Sequence, residues 1–188
     1  APALLHVDAV QAFGKLPFTV KKLGADLLTL SGHKLHAPKG VGALYVKKTT
    51  RLLPRTLGGG QERGLRSGTE SVPLIGALGE AVRLLPPAGE ALEHIQKLNS
   101  LLRQELAQLP GVVLHSPEDA LPYVLNFSAG KVRGETMLHF LAQREVYVSS
   151  GSACGKAKPS HVLESMGLPC VSLTAWQVQI RNGSRGRT

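Results

Sequence analysis

Cysteine is scarce in this chain: 188 residues contain two, Cys154 and Cys170. They are too few for a disulfide framework and form no C-x-x-C pair, and at least one free thiol is expected. A reducing, cytoplasmic setting is the expectation. Aromatic residues are also few, at 4%. With so little to stack bases on, the formal charge of +9 is poor evidence for a nucleic-acid partner, and none is expected. No apolar run approaches the roughly 20 residues of a membrane-spanning helix, so no membrane partner is expected either. The opening residues, APALLHVDAV, lack a basic leader and an initiator Met. They make an unconvincing signal peptide and read as a strand entered partway.

What is present is a globular composition, 43% apolar and 19% charged. The positive charge is unevenly spread. Residues 1–75 carry 11 Lys/Arg against 4 Asp/Glu, residues 76–150 carry 6 against 8, and residues 151–188 carry 5 against 1. The main excess therefore lies in the half that holds the Gly-rich and His/Lys-rich loops, where it suits an anionic ligand.

Short apolar runs separated by turn signals fill that half. ALLHV, DLLTL and VGALYV read as buried strands, because their apolar residues are continuous rather than alternating. LGGGQERGLRSGTE reads as a loop and Val72 to Leu85 as a helix, broken by PPAG. Residues 89–109 predict the clearest helix, with apolar Leu92, Ile95, Leu98, Leu102, Leu106 and Leu109 at three-or-four spacing, ended by Pro110 and Gly111. VVLHS and YVLNFS read as strands, GETMLHFLAQ as a helix and VYVSS as a strand. This alternation predicts a first block over 1–85, a small α+β domain over 86–168 and a tail, 169–188, with no clear period.

The stretch SGHKLHAPKG carries two lysines and two histidines between two strand-like runs. Lys39, between Pro38 and Gly40, suits a solvated turn. Lys34 follows a buried run directly, and partial desolvation there would make its amine nucleophilic. Most lysines are surface charge, but one so placed can form a Schiff base with a carbonyl, including that of pyridoxal phosphate. Ser31 and His33 flank it with donors suited to a phosphate. In HVDAVQ, Asp8 and Gln11 fall at the end of another strand. A pyridoxal ring needs a carboxylate at its nitrogen and benefits from a donor at its phenolic oxygen, which these two residues would supply. Taken singly, Asp8 is more often a helix N-cap, and Gln11 a solvated amide, than either is a cofactor ligand.

The GGGQERGLRSGTE loop is not a nucleotide P-loop, since no G-K-[ST] follows its glycines. Thr69 offers a hydroxyl just before a helix, suited to a phosphate or to an N-cap. In SSGSACGKAKPSH, small residues surround Cys154, and Lys156 and Lys158 follow it. Such an electropositive, pliable setting favours a thiolate. A zinc site of Cys154, His161 and Cys170 is the rival, but structural zinc wants four ligands in short pairs, so no metal is expected.

HVDAVQAFGKLPF, LSGHKLHAPKGVGALYV, GGGQERGLRSGTES and VYVSSGSACGKAKPSHVLESMGLP together resemble the class V, pyridoxal-phosphate-dependent cysteine desulfurases of the iron–sulfur assembly type. The resemblance runs almost unbroken over residues 6–169. It implies an α/β chain of fold type I: the later part of the cofactor-binding large domain, then the small C-terminal α+β domain. It implies pyridoxal 5'-phosphate held covalently on Lys34, with Asp8 at the pyridine nitrogen and Gln11 at the phenolic oxygen. Ser31 and His33 would hold the phosphate. Thr69 would reach the phosphate of a partner subunit, which implies a homodimer. Cys154 would take sulfur from L-cysteine as a persulfide, leaving alanine, and pass it to a sulfur-acceptor or iron–sulfur scaffold protein. A selenocysteine lyase, or a cofactor-free sulfur-relay module using only the Cys154 loop, are the alternatives.

Two departures stand out. Everything the family carries upstream of HVDAVQ is absent from this sequence. The tail also lacks the family's R-x-S-x-G spacing, since Arg181 and Ser184 are three apart. No arginine is therefore assigned to the substrate carboxylate.

Overall fold

The computed structural model describes residues 3–130, 132, 134–150, 164–167 and 176–179. The chain divides into two compact units, Ala1–Ala91 and Leu92–Thr188.

In the first unit, strand β1 (His6–Asp8) runs parallel to β2 (Leu27–Ser31), and β3 (Gly42–Val46) pairs antiparallel with β2 on its other side. Asp8 is in register with Thr29, and Ser31 with Gly42. A short helix, α1 (Val20–Leu23), lies in the crossover from β1 to β2. Thr19 starts it by accepting the Lys22 N–H, and Gly24 ends it in the left-handed conformation. Ala9, Ala25, Leu28, Leu35 and Ala37 are the buried apolar residues of the sheet and its turns.

The strands fall within the expected runs, β1 only at the end of ALLHV, but neither ALLHV nor VGALYV is buried: β1 is itself an edge strand, and Leu4 and Leu5 ahead of it are exposed. Leu44 and Tyr45 are 45% and 42% exposed. β3 is an edge strand of a three-stranded sheet, so it has a neighbour on one side only. Its antiparallel partner ties it down at Asp26, whose backbone oxygen accepts Lys47 N–H at 2.9 Å and whose carboxylate meets Lys47 Nζ at 3.0 Å. That carboxylate also accepts Leu5 N–H at 3.0 Å. The Leu5 N–H and then Lys47 hold its pKa below the ordinary value.

Helix α2 (Val72–Arg83) follows the Gly-rich loop, with Pro73 in its first turn, where a missing N–H costs nothing. Helix α3 (Ala88–Ala107) follows the Pro86–Pro87 break, and Pro87 O accepts Glu90 and Ala91 N–H. It stops short of Pro110.

The second unit holds a four-stranded antiparallel sheet in the order β4-β5-β7-β6. Its strands are β4 (Val112–Leu114), β5 (Val124–Ala129), β6 (Ser149–Ser150) and β7 (Trp176–Gln179), with helix α4 (Gly134–Ala142) between β5 and β6. Ile95 on α3 and Leu125 and Phe127 on β5 are its buried apolar residues. VYVSS contributes only its last two residues to a strand, because β6 is paired over Ser149 and Ser150 alone. Within the tail, which showed no period, Trp176–Gln179 enters the sheet between β5 and β6.

Candidate active site

Parallel strands β1 and β2 end side by side, and the chain turns there twice. Ligands in such open sheets gather at the carboxyl ends of the strands. Asp8 closes β1, and its Oδ1 accepts the Val10 N–H at 2.9 Å. This is a turn two residues long, not the helix cap that the sequence also allowed, since no helix begins there. Gln11 lies in that turn, exposed, its Oε1 accepting from Lys15 Nζ at 2.7 Å.

Ser31 closes β2, and a 3-10 turn, Gly32–Lys34, follows at once. Backbone bonds converge on Gly32: its oxygen accepts Leu35 N–H at 2.8 Å and Ala37 N–H at 3.1 Å, and its N–H donates to Val41 O at 2.9 Å. Leu35, 3% exposed, pins the turn to the core. His36 takes a φ of +66°, an uncommon conformation for a side-chain-bearing residue, before Pro38 redirects the chain. Ser31 Oγ and His33 Nδ1 share a hydrogen bond of 2.8 Å. Lys34 is half-buried, and among the described residues its ammonium has no ion-pair or hydrogen-bond partner. Lys39 is exposed, as its Pro–Gly setting predicts.

Thr69 belongs to the same unit but to another segment. It is exposed and is not the cap of α2, which is Ser71. The loop before it is stapled: Ser67 Oγ donates to Gly59 O at 2.7 Å, Gly68 N–H donates to Gln61 Oε1 at 3.3 Å, and Thr56 bridges Arg66. Glu62 and Arg63, at φ 50° and 58°, turn its tip left-handed ahead of Gly64. Gln61 and Ser67 went unnoticed in the sequence because a loop staple has no period. Cys154, His161 and Cys170 lie outside the described residues.

The arrangement thus puts a carboxylate, an amide, a hydroxyl–imidazole pair and a free amine at one end of one sheet. A free amine so placed can add to a carbonyl, and its neighbours can bind the polar groups of whatever carries it.

Residues 1–175 match the family model described as aminotransferase class-V. A cysteine desulfurase of Nostoc sp. is 46% identical over 176 residues, which cover 91% of this chain and 44% of that protein. The mitochondrial cysteine desulfurase of Candida albicans is 43% identical, covering 86% of this chain and 34% of its own length. Among solved structures, a NifS-like protein from Rickettsia africae superposes with a TM-score of 0.81 at 32% identity, covering 94% of this chain and 48% of that one. DndA from Streptomyces lividans gives 0.72 at 36%, covering 94% and 52%. This chain therefore spans less than half the length of the curated relatives it matches. The α/β fold is that of fold type I, as the motifs implied. With the family model covering residues 1–175 of 188 and the strand-end cluster inside that match, the chain belongs to the aminotransferase class-V family.

Proposed function

We propose that this chain is part of a cysteine desulfurase, which takes sulfur from L-cysteine, leaves L-alanine and holds the sulfur on Cys154 as a persulfide. The observation that carries the reading is the half-buried Lys34, unpartnered among the described residues, beside the Ser31–His33 pair at the strand ends where Asp8 and Gln11 also lie. The cysteine desulfurases that match the chain add the reaction class.

The family depends on pyridoxal phosphate, and the donor set fits that group. Lys34 would hold it covalently. Asp8 has one oxygen engaged with Val10 N–H, and the other suits a protonated ring nitrogen. Gln11 accepts from Lys15 through Oε1, which leaves its NH₂ to donate to the phenolic oxygen. Ser31 and His33 donate to the phosphate, and Thr69 serves the phosphate of a second copy in a homodimer. When bound, pyridoxal phosphate supplies an electron sink that weakens bonds at the substrate's α and β carbons.

Cys154 does the rest as a thiolate. Its sulfur forms the S–S bond while the substrate's C–S bond breaks, and a proton delivered to the carbon completes alanine. The lysines at 156 and 158 favour that thiolate. The persulfide then passes to a sulfur-acceptor or iron–sulfur scaffold protein, which suits a reducing, cytoplasmic setting.

The test uses the chain joined to the upstream part of the Nostoc relative, supplied with pyridoxal phosphate and radiosulfur-labelled L-cysteine. Label should appear on Cys154, released by thiol. Lys34→Ala should abolish cofactor absorbance and labelling, Lys39→Ala should spare both, and Cys154→Ser should keep the cofactor and lose the label. Alanine release undiminished in Cys154→Ser would overturn the persulfide route.

A further inference from the structure

From Pro38 to Glu90 a single residue is buried, Ser67, at 8% exposed. It lies in the Gly-rich loop, two positions before Thr69. No leucine of that loop is itself buried, and Leu57 is 80% exposed. What holds Ser67 is polar. Its N–H donates to Thr56 O at 3.2 Å, its Oγ donates to Gly59 O at 2.7 Å, and its carbonyl accepts from Arg66 Nη1 at 3.1 Å. Gly68 comes next at φ +121°, a conformation that side-chain-bearing residues rarely adopt, and its N–H donates to Gln61 Oε1 at 3.3 Å. A Cβ at that position would also stand 2.7 Å from Arg66 Nη1.

We infer that Ser67, with Gln61, is a positioning residue for Thr69, tying the loop so that the Thr69 hydroxyl is set for a phosphate in advance. The inference rests on the reading of Thr69 as a ligand to the phosphate of a second copy. Thr69 is exposed, and among the described residues its hydroxyl has no hydrogen-bond partner. Its backbone is bracketed. On one side Ser67 and Gly68 are tied into the loop. On the other, Val72 N–H donates to Glu70 O at 3.0 Å as α2 begins.

The bonds suit preorganisation better than general stability. Three consecutive glycines, Gly58 to Gly60, would let an untied loop take many shapes. One hydroxyl contributes one neutral hydrogen bond, and the entropy lost in ordering such a loop on binding would largely offset it. Side-chain bonds made beforehand remove that cost from the binding step. The fold depends on them far less, because the loop buries this one residue alone. Gly59 is exposed, so water can take the place of Ser67 Oγ at its oxygen. A chain without the hydroxyl should therefore fold and lose only the loop's fixed shape.

The experiment compares the binding of pyridoxal 5'-phosphate with that of pyridoxal, which lacks the phosphate. The protein is the chain joined to the upstream part of the Nostoc relative. Ser67→Ala should weaken pyridoxal phosphate by roughly fivefold and leave pyridoxal within about twofold, the scale of one neutral hydrogen bond. Gln61→Met keeps the side chain's length, loses the amide oxygen that holds Gly68, and should act in the same direction. A merely structural role would weaken both ligands alike, and that result overturns the inference. So does an unchanged preference for the phosphate in Ser67→Ala when Thr69→Val lowers it. If Ser67→Ala fails to fold, Gln61→Met decides: a lowered preference supports the inference, and an unchanged one overturns it. Thr69→Val tests the underlying reading by itself. An unmoved preference there would show that Thr69 does not bind the phosphate, and the inference would fall with that reading. An unaltered protein with no preference for the phosphate would sink the cofactor reading as a whole.

Discussion

The guanidinium of Arg103 donates three hydrogen bonds, to Asn99 Oδ1 at 2.7 Å, Ser116 O at 2.9 Å and Pro117 O at 2.7 Å. Asn99, 5% exposed, passes a fourth to Pro122 O at 2.9 Å. Two linked side chains on α3 thereby pin the β4–β5 connection, Arg103 at its start and Asn99 at its end. Arg103→Lys keeps the charge but cannot fork, and should cost roughly 1–3 kcal/mol in urea unfolding. A cost no larger than that of Lys97→Ala, an exposed partner of Glu93, would show the clamp to be idle. Across the same sheet His115 Nε2 shares 3.0 Å with Ser128 Oγ, and burial pushes the imidazole below its ordinary pKa. The unfolded chain therefore takes up that proton more readily than the folded one. The stabilisation is complete above the ordinary histidine value and is lost as pH falls through the lower folded value. His115→Gln should flatten the stability curve over that window, which lies just below the ordinary histidine value. An unchanged slope in urea titrations across it would refute the assignment.

Elements were legible where a period or a punctuating residue marked them. The three-or-four spacing of Leu92, Ile95 and Leu98 and the Pro86–Pro87 break bounded α3, and the turn after DLLTL located Lys34. The 3-10 turn itself was hidden, because its hold comes from Val41 and from the distant packing of Leu35. Gly14 shows how distant. At φ +74° it lies so close to both neighbours that a Cβ there would stand 2.9 Å from Leu85 Cδ1 and 3.2 Å from Leu35 Cδ2. Gly14→Ala should therefore cost roughly 1–3 kcal/mol, from left-handed strain and overpacking together. Because Leu35 follows Lys34, the same change should alter the acylation rate of Lys34 relative to Lys39, read by peptide mapping. Equal reactivity ratios in both chains would mean that Leu35 does not set the turn. β7 was illegible for a different reason: four alternating residues carry too little pattern to stand out beside a cation-rich end, and their pairing is with strands distant in sequence.

Exposure is a property of the whole molecule, and there the reading of ALLHV and VGALYV as buried strands failed. Leu53, Leu57, Val72 and Leu84 are 89%, 80%, 73% and 65% exposed in the first unit, and no local pattern distinguishes them from Leu28 at 3%. Scattered exposed apolar residues are ordinary, but this unit adds Leu4, Leu5, Leu44, Tyr45 and Ile75 to them. Relatives more than twice as long share the fold, so further polypeptide has a place to sit on such side chains. A second copy of the chain is the other source of cover, as the homodimer reading requires. Apolar cover and charge can be told apart by salt. With 22 basic against 13 acidic residues, association through charge would weaken as screening rises, whereas association through leucines and valines would hold or strengthen. Sedimentation of the chain alone should show self-association that persists in high salt. Leu57→Ser combined with Val72→Ser should lower it by an order of magnitude or so in dissociation constant, since each replacement removes roughly 1 kcal/mol or more of apolar burial. Lys47→Ser with Lys48→Ser, on the basic segment after β3, should leave it unchanged. If the lysine pair rather than the apolar pair dissolves the association, then charge holds the copies together and these side chains are covered by something else.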